Sequence, residues 1–222
     1  MDTVDVATST LERLSDAVQK GQATDVLALL GVGLEQGISA AELLDDGLLK
    51  GMSLLGVRFS NNEAWVPEVL LAARALNEGM DFLKPKLIEA GVASKGKVVI
   101  GTVAGDMHDV GKNLVKMMME GSGLEVIDLG VNVPDEQFVA AIRTHSPDVV
   151  CLSALLTSTM GQMKLVIDAI VAAGLRDSVK VLVGGAPVTS QAAAAMGADG
   201  TAPDASSAAE LACRIIGLAA RR

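Results

Sequence analysis

The chain has 222 residues, half of them apolar, and carries 18 Lys and Arg against 27 Asp and Glu, a net charge of −9. That is enough apolar material for one generous core or two small ones. The acidic balance, with no basic stripe and no aromatic platform, argues against nucleic acid as a partner.

Aromatics are nearly absent (Phe59, Trp65, Phe82 and Phe138, with no tyrosine), so the core must be built from Leu, Val, Ile, Ala and Met. Cys151 and Cys213 sit in apolar surroundings without metal-type spacing and read as reduced core residues. The acidic start Met1-Asp2-Thr3-Val4-Asp5 has neither the basic n-region nor the apolar run of a signal peptide. No run of about 18 uninterrupted apolar residues is present, as a membrane span would require. The expectation is a soluble, cytoplasmic protein with no membrane partner.

In chain order, residues 1–91 read as four helices. Leu11, Leu14 and Val18 form one apolar stripe; Val26, Leu29, Leu30 and Leu34 form a second; Leu43, Leu44, Leu48, Met52 and Leu55 form a third, all at three- and four-residue steps. A fourth helix starts at Pro67, a residue favoured in a first helical turn. It runs through Val69, Leu70, Ala73, Leu76, Met80, Leu83 and Leu87, with a bend expected near Pro85. Gly21, Gly37 and Ser60-Asn61-Asn62 punctuate the pattern. Four short amphipathic helices of this kind pack as a small bundle.

Past the hinge-like Gly91-Val92-Ala93-Ser94-Lys95-Gly96 the period changes, so residues 92–222 form a second domain. Short β-branched runs alternate with helices: Lys97–Val103 with 109–120, Glu125–Leu129 with 135–144, Asp148–Ser153 with 160–173, Val179–Val183 with 189–196, and Ala198–Thr201 with 205–219. Strands buried on both faces and alternating with helices predict a doubly wound, five-stranded parallel sheet of the flavodoxin-like, Rossmann type. Ligands of such sheets gather at the carboxyl ends of the strands.

Three groups fall at those ends. Strand one leads into Gly105-Asp106-Met107-His108-Asp109-Val110-Gly111-Lys112-Asn113, which holds one of the two histidines. An imidazole there can ligate a metal, with the carboxylate two residues earlier holding its far nitrogen. Strand three ends in Ser153-Ala154-Leu155, followed by Thr157, Ser158 and Thr159; strand four ends in Gly184-Gly185. Each glycine leaves room for a ligand to approach the backbone. Taken singly, each has a bland reading: a loop histidine, a turn, a helix cap at Asp109. Order and spacing join them: 41 residues separate Gly111 from Ser153, and 28 separate Leu155 from Gly184. The Met117-Met118-Met119 run reads as packing, and His145 as capping a helix end.

Asp-x-His-x-x-Gly, Ser-x-Leu and Gly-Gly in this order resemble the signature of cobalamin-binding proteins that hold the corrinoid base-off and His-on. The context from Gly105 to Asn113, and Asp128-Leu129-Gly130-Val131-Asn132-Val133-Pro134, resemble the methyl-carrying branch. Gly51-Met52 and Trp65-Val66-Pro67-Glu68-Val69 are similar to that branch's helical cap. The resemblance covers nearly the whole chain and implies an N-terminal four-helix cap followed by a B12-binding domain.

The resemblance also implies roles. His108 would be the lower axial ligand of cobalt through Nε2. Asp106 would accept a hydrogen bond from its Nδ1–H, and Thr159, where a serine is more familiar, would contact Asp106. These three would form a proton relay, because the cobalt of such carriers changes coordination number in turnover and imidazoles ordinarily titrate within physiological reach. Ser153 and Thr157 would line the slot for the displaced nucleotide tail, with Leu155, Gly184 and Gly185 making room. Gly105, Met107, Asp109 and Gly111 would border the corrin. Trp65 and Val66 would form an apolar lid over the methyl group, the alternative for Trp65 being a place in the bundle core.

Functionally, the resemblance implies a methyl shuttle of one-carbon metabolism. Its partners would be a substrate-specific corrinoid methyltransferase, a second methyltransferase using tetrahydrofolate or a thiol acceptor, and a reductive activator. With no room for a substrate domain, the chain would be a carrier rather than a complete enzyme. A coenzyme-binding subunit of an adenosylcobalamin mutase and a B12-dependent sensor are the alternatives. The Trp65-Val66-Pro67-Glu68 segment argues against the first, and the acidic first 90 residues, lacking a basic DNA-binding module, against the second.

Overall fold

A computed structural model describes residues 3–92 and 94–217. Its contacts divide the chain into two compact units, one running to Ser94 together with Gly121–Gly123, the other formed by Lys95–Glu120 and the residues from Leu124 onward. Among the described residues, no helix is long and apolar enough to cross a membrane.

The first unit is helical: α1 (Thr3–Gln19), α2 (Ala23–Glu35), α3 (Ala40–Glu42), a π-helical stretch (Leu43–Leu49), α4 (Lys50–Ser60) and α5 (Val66–Glu89). The third predicted helix is thus one run from Ala40 to Ser60 with a widened middle. It starts at a capping box: Ser39 Oγ accepts the Glu42 N–H and the Glu42 carboxylate accepts the Ser39 N–H. The Ser39 hydroxyl and the Ser39 N–H both donate to the Glu42 carboxylate and hold it below its ordinary range. The widened turn puts Leu43 and Leu48, five apart, into the core together. Two glycines let α1 come close. A Cβ on Gly47 would sit 2.4 Å from Leu14 Cδ2, and one on Gly51 would sit 2.6 Å from the Ser15 carbonyl. α5 has Pro67 in its first turn, the Trp65 N–H donating to the Glu68 carboxylate, and remains one helix through Pro85. Leu70, expected in its buried stripe, is 44% exposed.

The second unit alternates strands and helices: β1 (Lys97–Thr102), α6 (Val110–Glu120), β2 (Glu125–Asp128), α7 (Asp135–His145), β3 (Val149–Ser153), α8 (Met160–Ala172), a 3₁₀ turn (Arg176–Ser178), β4 (Lys180–Gly184), α9 (Ser190–Met196) and α10 (Ala205–Ile215). All strand pairs are parallel, in the order β2-β1-β3-β4. This matches a flavodoxin-like sheet but with four strands where five were expected. The fifth segment, Ala198–Thr201, makes a single bridge, Leu182 to Gly200. Its Asp199 explains the failure. The carboxylate accepts the Val181 N–H and binds Arg176 instead of leaving an apolar run to pair. Residues 218 and 219, predicted to end the last helix, lie outside the described residues, as does Ala93 of the hinge-like segment.

β1, β3 and β4 are buried almost throughout, which accounts for their unbroken Val-Ile-Leu character. Phe138 is the largest side chain in the core beneath them, packed with Val99, Val133, Val150 and Met163. Gly101 is small for its sake: a Cβ there would lie 2.8 Å from Phe138 Cζ. Cys151 and Cys213 are not joined in a disulfide, and burial pushes the Cys151 thiol up to about 12. Met118 and Met119 are core residues, as packing required.

Replacing Gly101 with Ala should destabilise the protein by about 1–3 kcal/mol through overpacking. Chemical denaturation measures it, and a further Phe138→Leu change should recover part of the loss.

Candidate functional site

The site gathers at the carboxyl ends of the parallel strands, on the last strand residues, the loops that follow and the start of α6. The β1–α6 loop carries Asp106, a carboxylate with no exposed surface. Its Oδ1 accepts the His108 N–H at 3.1 Å and lies 2.8 Å from His108 Nδ1. Its Oδ2 accepts the N–H groups of Leu155 and Leu156 at 2.8 and 3.3 Å and faces the Thr159 hydroxyl at 2.7 Å. Burial alone would raise the Asp106 carboxyl. The bonds from Thr159, His108 and Leu155 outweigh it and hold the group ionised, far below the ordinary carboxylate range.

An ionised carboxylate has no proton to give, so in the neutral ring the hydrogen sits on Nδ1 and the Nε2 lone pair is free. Nε2 has no partner among the described residues, and the His108 side chain is 51% exposed. This is an oriented base presented to something outside the protein. Thr159 reaches the carboxylate despite its extra methyl, which turns aside: a Cβ on Gly105 would lie 3.7 Å from that methyl. The hydroxyl is also 2.9 Å from the Leu156 carbonyl. Its single proton favours the charged acceptor.

Beside His108 opens a cavity of about 650 Å³, walled by α6, β3, β4 and the start of α10. Met107, His108, Asp109, Gly111, Ser153, Leu155, Gly184 and Gly185 all line it. Two of its glycines have no reason within the protein. A Cβ on Gly111 or Gly184 would meet no other residue within 4 Å. Gly185 differs: it has φ +133°, and a Cβ would lie 1.9 Å from the Ala154 carbonyl oxygen. Thr157 is exposed and is not among the lining residues, nor is Gly105. Asp109 accepts a bond from Asn113 Nδ2 at 3.2 Å rather than capping its helix with its side chain. In the other unit, Trp65 is 74% exposed, so the bundle-core reading of the indole fails.

Three supports were not foreseen. Thr102, fully buried at the end of β1, donates its hydroxyl hydrogen to the His108 carbonyl at 2.9 Å. Asn132, in the left-handed region at φ 52°, accepts the Gly105 N–H at 2.7 Å and donates its own N–H to the Asp106 carbonyl at 2.9 Å. Lys112, nearly buried, binds both Asp128 oxygens at 2.7 and 2.6 Å and Asn113 Oδ1 at 2.7 Å. Partial burial would raise the Asp128 carboxyl, but the Lys112 ammonium and the Gly130 N–H lower it. A threonine ending an otherwise apolar strand was the available signal for Thr102. Nothing local pairs Lys112 with Asp128.

Family models place this geometry. One described as a B12 binding domain matches residues 96–210, and a second of the same description matches residues 10–84. The chain belongs to the B12-binding corrinoid proteins. A corrinoid protein of Desulfitobacterium hafniense strain Y51 is 38% identical over 212 residues, covering 94% of this chain and 98% of that one. The dimethylamine corrinoid protein of Methanosarcina barkeri is 39% identical over 199 residues, 89% of this chain and 93% of that one. Among solved structures, the methanol:cobalamin methyltransferase complex of Methanosarcina barkeri superposes with a TM-score of 0.84 at 29% identity, covering 94% of this chain and 80% of that one. A cobalamin-binding protein of Desulfitobacterium hafniense DCB-2 gives 0.77 at 31%, covering 92% and 98%. The corrinoid protein's own residues fit the cofactor, with an oriented imidazole and, next to it, a slot whose glycines leave space that no protein atom fills.

The depressed Asp106 pKa makes the corrinoid protein's stability depend on pH. The contribution is full above the unfolded-state value near 3.9 and is lost as pH falls from there towards the depressed folded value. Asp106→Asn should cost the apoprotein about 2 kcal/mol or more at pH 7. Melting curves taken between pH 7 and 3 should show that gap narrowing as the pH drops.

Proposed function

We propose that this corrinoid protein binds cobalamin base-off with His108 Nε2 as the lower ligand, and carries a methyl group between two methyltransferases. The observation that supports this best is the His108 ring, fixed by Asp106, with its free nitrogen beside a slot walled by glycines. The bound corrinoid would supply a cobalt centre that accepts a methyl group from one partner and yields it to the next.

In this reading the chain's residues bind, orient and hold a proton. Asp106 keeps the hydrogen on His108 Nδ1, so Nε2 meets the metal as a base. Thr159 holds the second carboxylate oxygen, completing the relay. Ser153, Thr157 and Leu155 receive the displaced nucleotide tail together with Gly184 and Gly185. Gly105, Met107, Asp109 and Gly111 border the corrin. In this reading residues 92–222 hold the cofactor and residues 1–91 are the cap domain, with Trp65 and Val66 assigned to excluding water from the methyl group.

The helical cap favours methyl transfer over the mutase alternative; the acidic first 90 residues, and relatives named for methylamine and methanol systems, favour it over the sensor. The first partner is a substrate:corrinoid methyltransferase; a methanol enzyme accompanies one structural relative, and a methylamine names another relative. The second uses tetrahydrofolate or a thiol, and a reductive activator restores the carrier. A cytoplasmic location accords with this chemistry.

Two measurements test the reading. Labelled with 15N-histidine and loaded with cob(II)alamin, the unaltered protein should show in its electron paramagnetic resonance spectrum the two-line splitting of an axial 15N, which the cofactor's own base does not give, and His108→Ala should lose it. Persistence of a histidine-type signal in that variant would overturn the ligand assignment.

Gly184→Ala should leave the melting temperature of the apoprotein nearly unchanged, since a Cβ there meets no other residue within 4 Å, while weakening cobalamin binding. Gly185→Ala should instead destabilise the apoprotein itself. Equilibrium dialysis and thermal unfolding separate the two effects.

A further inference from the structure

Three candidates outside the relay were weighed: the nearly buried Lys112–Asp128 pair, the exposed apolar residues of α4 and α5, and the buried hydroxyl at the end of β1. The last carries an inference furthest. Thr102 is fully buried, yet its backbone N–H and carbonyl are already used, donating to the Gly130 carbonyl at 3.0 Å and accepting the Val133 N–H at 2.9 Å. Its hydroxyl is therefore not needed for strand pairing. A buried hydroxyl without a partner is costly, and this one spends its proton on the carbonyl of His108 at 2.9 Å.

His108 is thus gripped at three points. Asp106 Oδ1 takes its N–H at 3.1 Å and faces its ring Nδ1 at 2.8 Å, while Thr102 holds its carbonyl. The two bonds from Asp106 both act on the amide and ring side of the residue. The Thr102 bond adds a hold on the peptide that follows the ring, tying the His108 backbone to the strand end and limiting how far the Asp106–His108 pair can shift as one unit. β1 is an inner strand, paired with both β2 and β3, so its end is a firm anchor for that third point.

We propose that Thr102 is a positioning residue for His108: its hydroxyl fixes the His108 peptide so that Nε2 stays directed at the lower face of the bound corrinoid. The inference rests on His108 being the lower ligand, and its test separates the two claims. Thr102→Val keeps the β-branched shape and removes only the donor; Thr102→Ser keeps the donor. Each apoprotein is first checked by circular dichroism and thermal unfolding. Each, labelled with 15N-histidine, is then loaded with cob(II)alamin and measured for the fraction of signal split by an axial 15N, and for cobalamin affinity.

Thr102→Val should bind cobalamin about tenfold more weakly, the lower end of what loss of a ligand-orienting partner costs. It should show a reduced axial 15N fraction with an unchanged fold, and Thr102→Ser should restore both. A Val variant with the unaltered protein's spectrum and affinity overturns the inference and leaves the ligand assignment standing. Absence of axial 15N splitting in the unaltered protein overturns the assignment and this inference with it. If valine disturbs the strand end, Thr102→Ala removes the same donor and is read in the same way.

Discussion

The site depends on one buried carboxylate. Asp106 is sealed from water and ionised, a costly state for an isolated group. It is sustained because donors from separate chain segments converge on it: its own loop supplies the His108 amide and ring, and the turn after β3 supplies Leu155, Leu156 and Thr159. The same charge that orders the imidazole also ties the first loop to the third. Asn132 ties that first loop to the second through Gly105 and Asp106. The loops at the strand ends behave as one assembly built around Asp106, with the parallel sheet setting their spacing.

The cavity beside this assembly follows a different logic. Gly185 is small because the protein's own backbone would collide with anything larger, whereas Gly111 and Gly184 have only open space before them. Gly31 and Gly161 also have open space before them, so what sets Gly111 and Gly184 apart is their place in the wall of the cavity, which they leave clear. This distinction separates folding glycines from binding glycines, and it is invisible in a Gly-Gly pair read as letters.

Much was legible in advance because the signals were local. Unbroken Val-Ile runs marked the buried strands, three- and four-residue steps marked the helices, and the spaced motifs marked the strand ends where the site lies. What escaped depends on partners distant in sequence. Asp199 turns to Val181 and Arg176, so a predicted fifth strand contracts to one bridge. The π-helical stretch arises from fitting Leu43 and Leu48 into one core, a tertiary demand. Lys112 meets Asp128 only once α6 has packed beside β2. Thr102 and Asn132 bond to backbone groups of the motif, which have no letter of their own in the sequence; the threonine closing an apolar strand was the one hint, and it named no partner.

The unequal exposure of the His108–Asp106 pair sets its traffic with solvent. The carboxylate is wholly enclosed and Thr159 nearly so, while half of the imidazole side chain faces outward. The pair therefore has a single doorway, and it is Nε2. A nitrogen with one lone pair can hold a proton or a metal, but not both. Occupancy of that doorway by cobalt would lock the proton already on Nδ1 inside, and its departure would open the pair to solvent again.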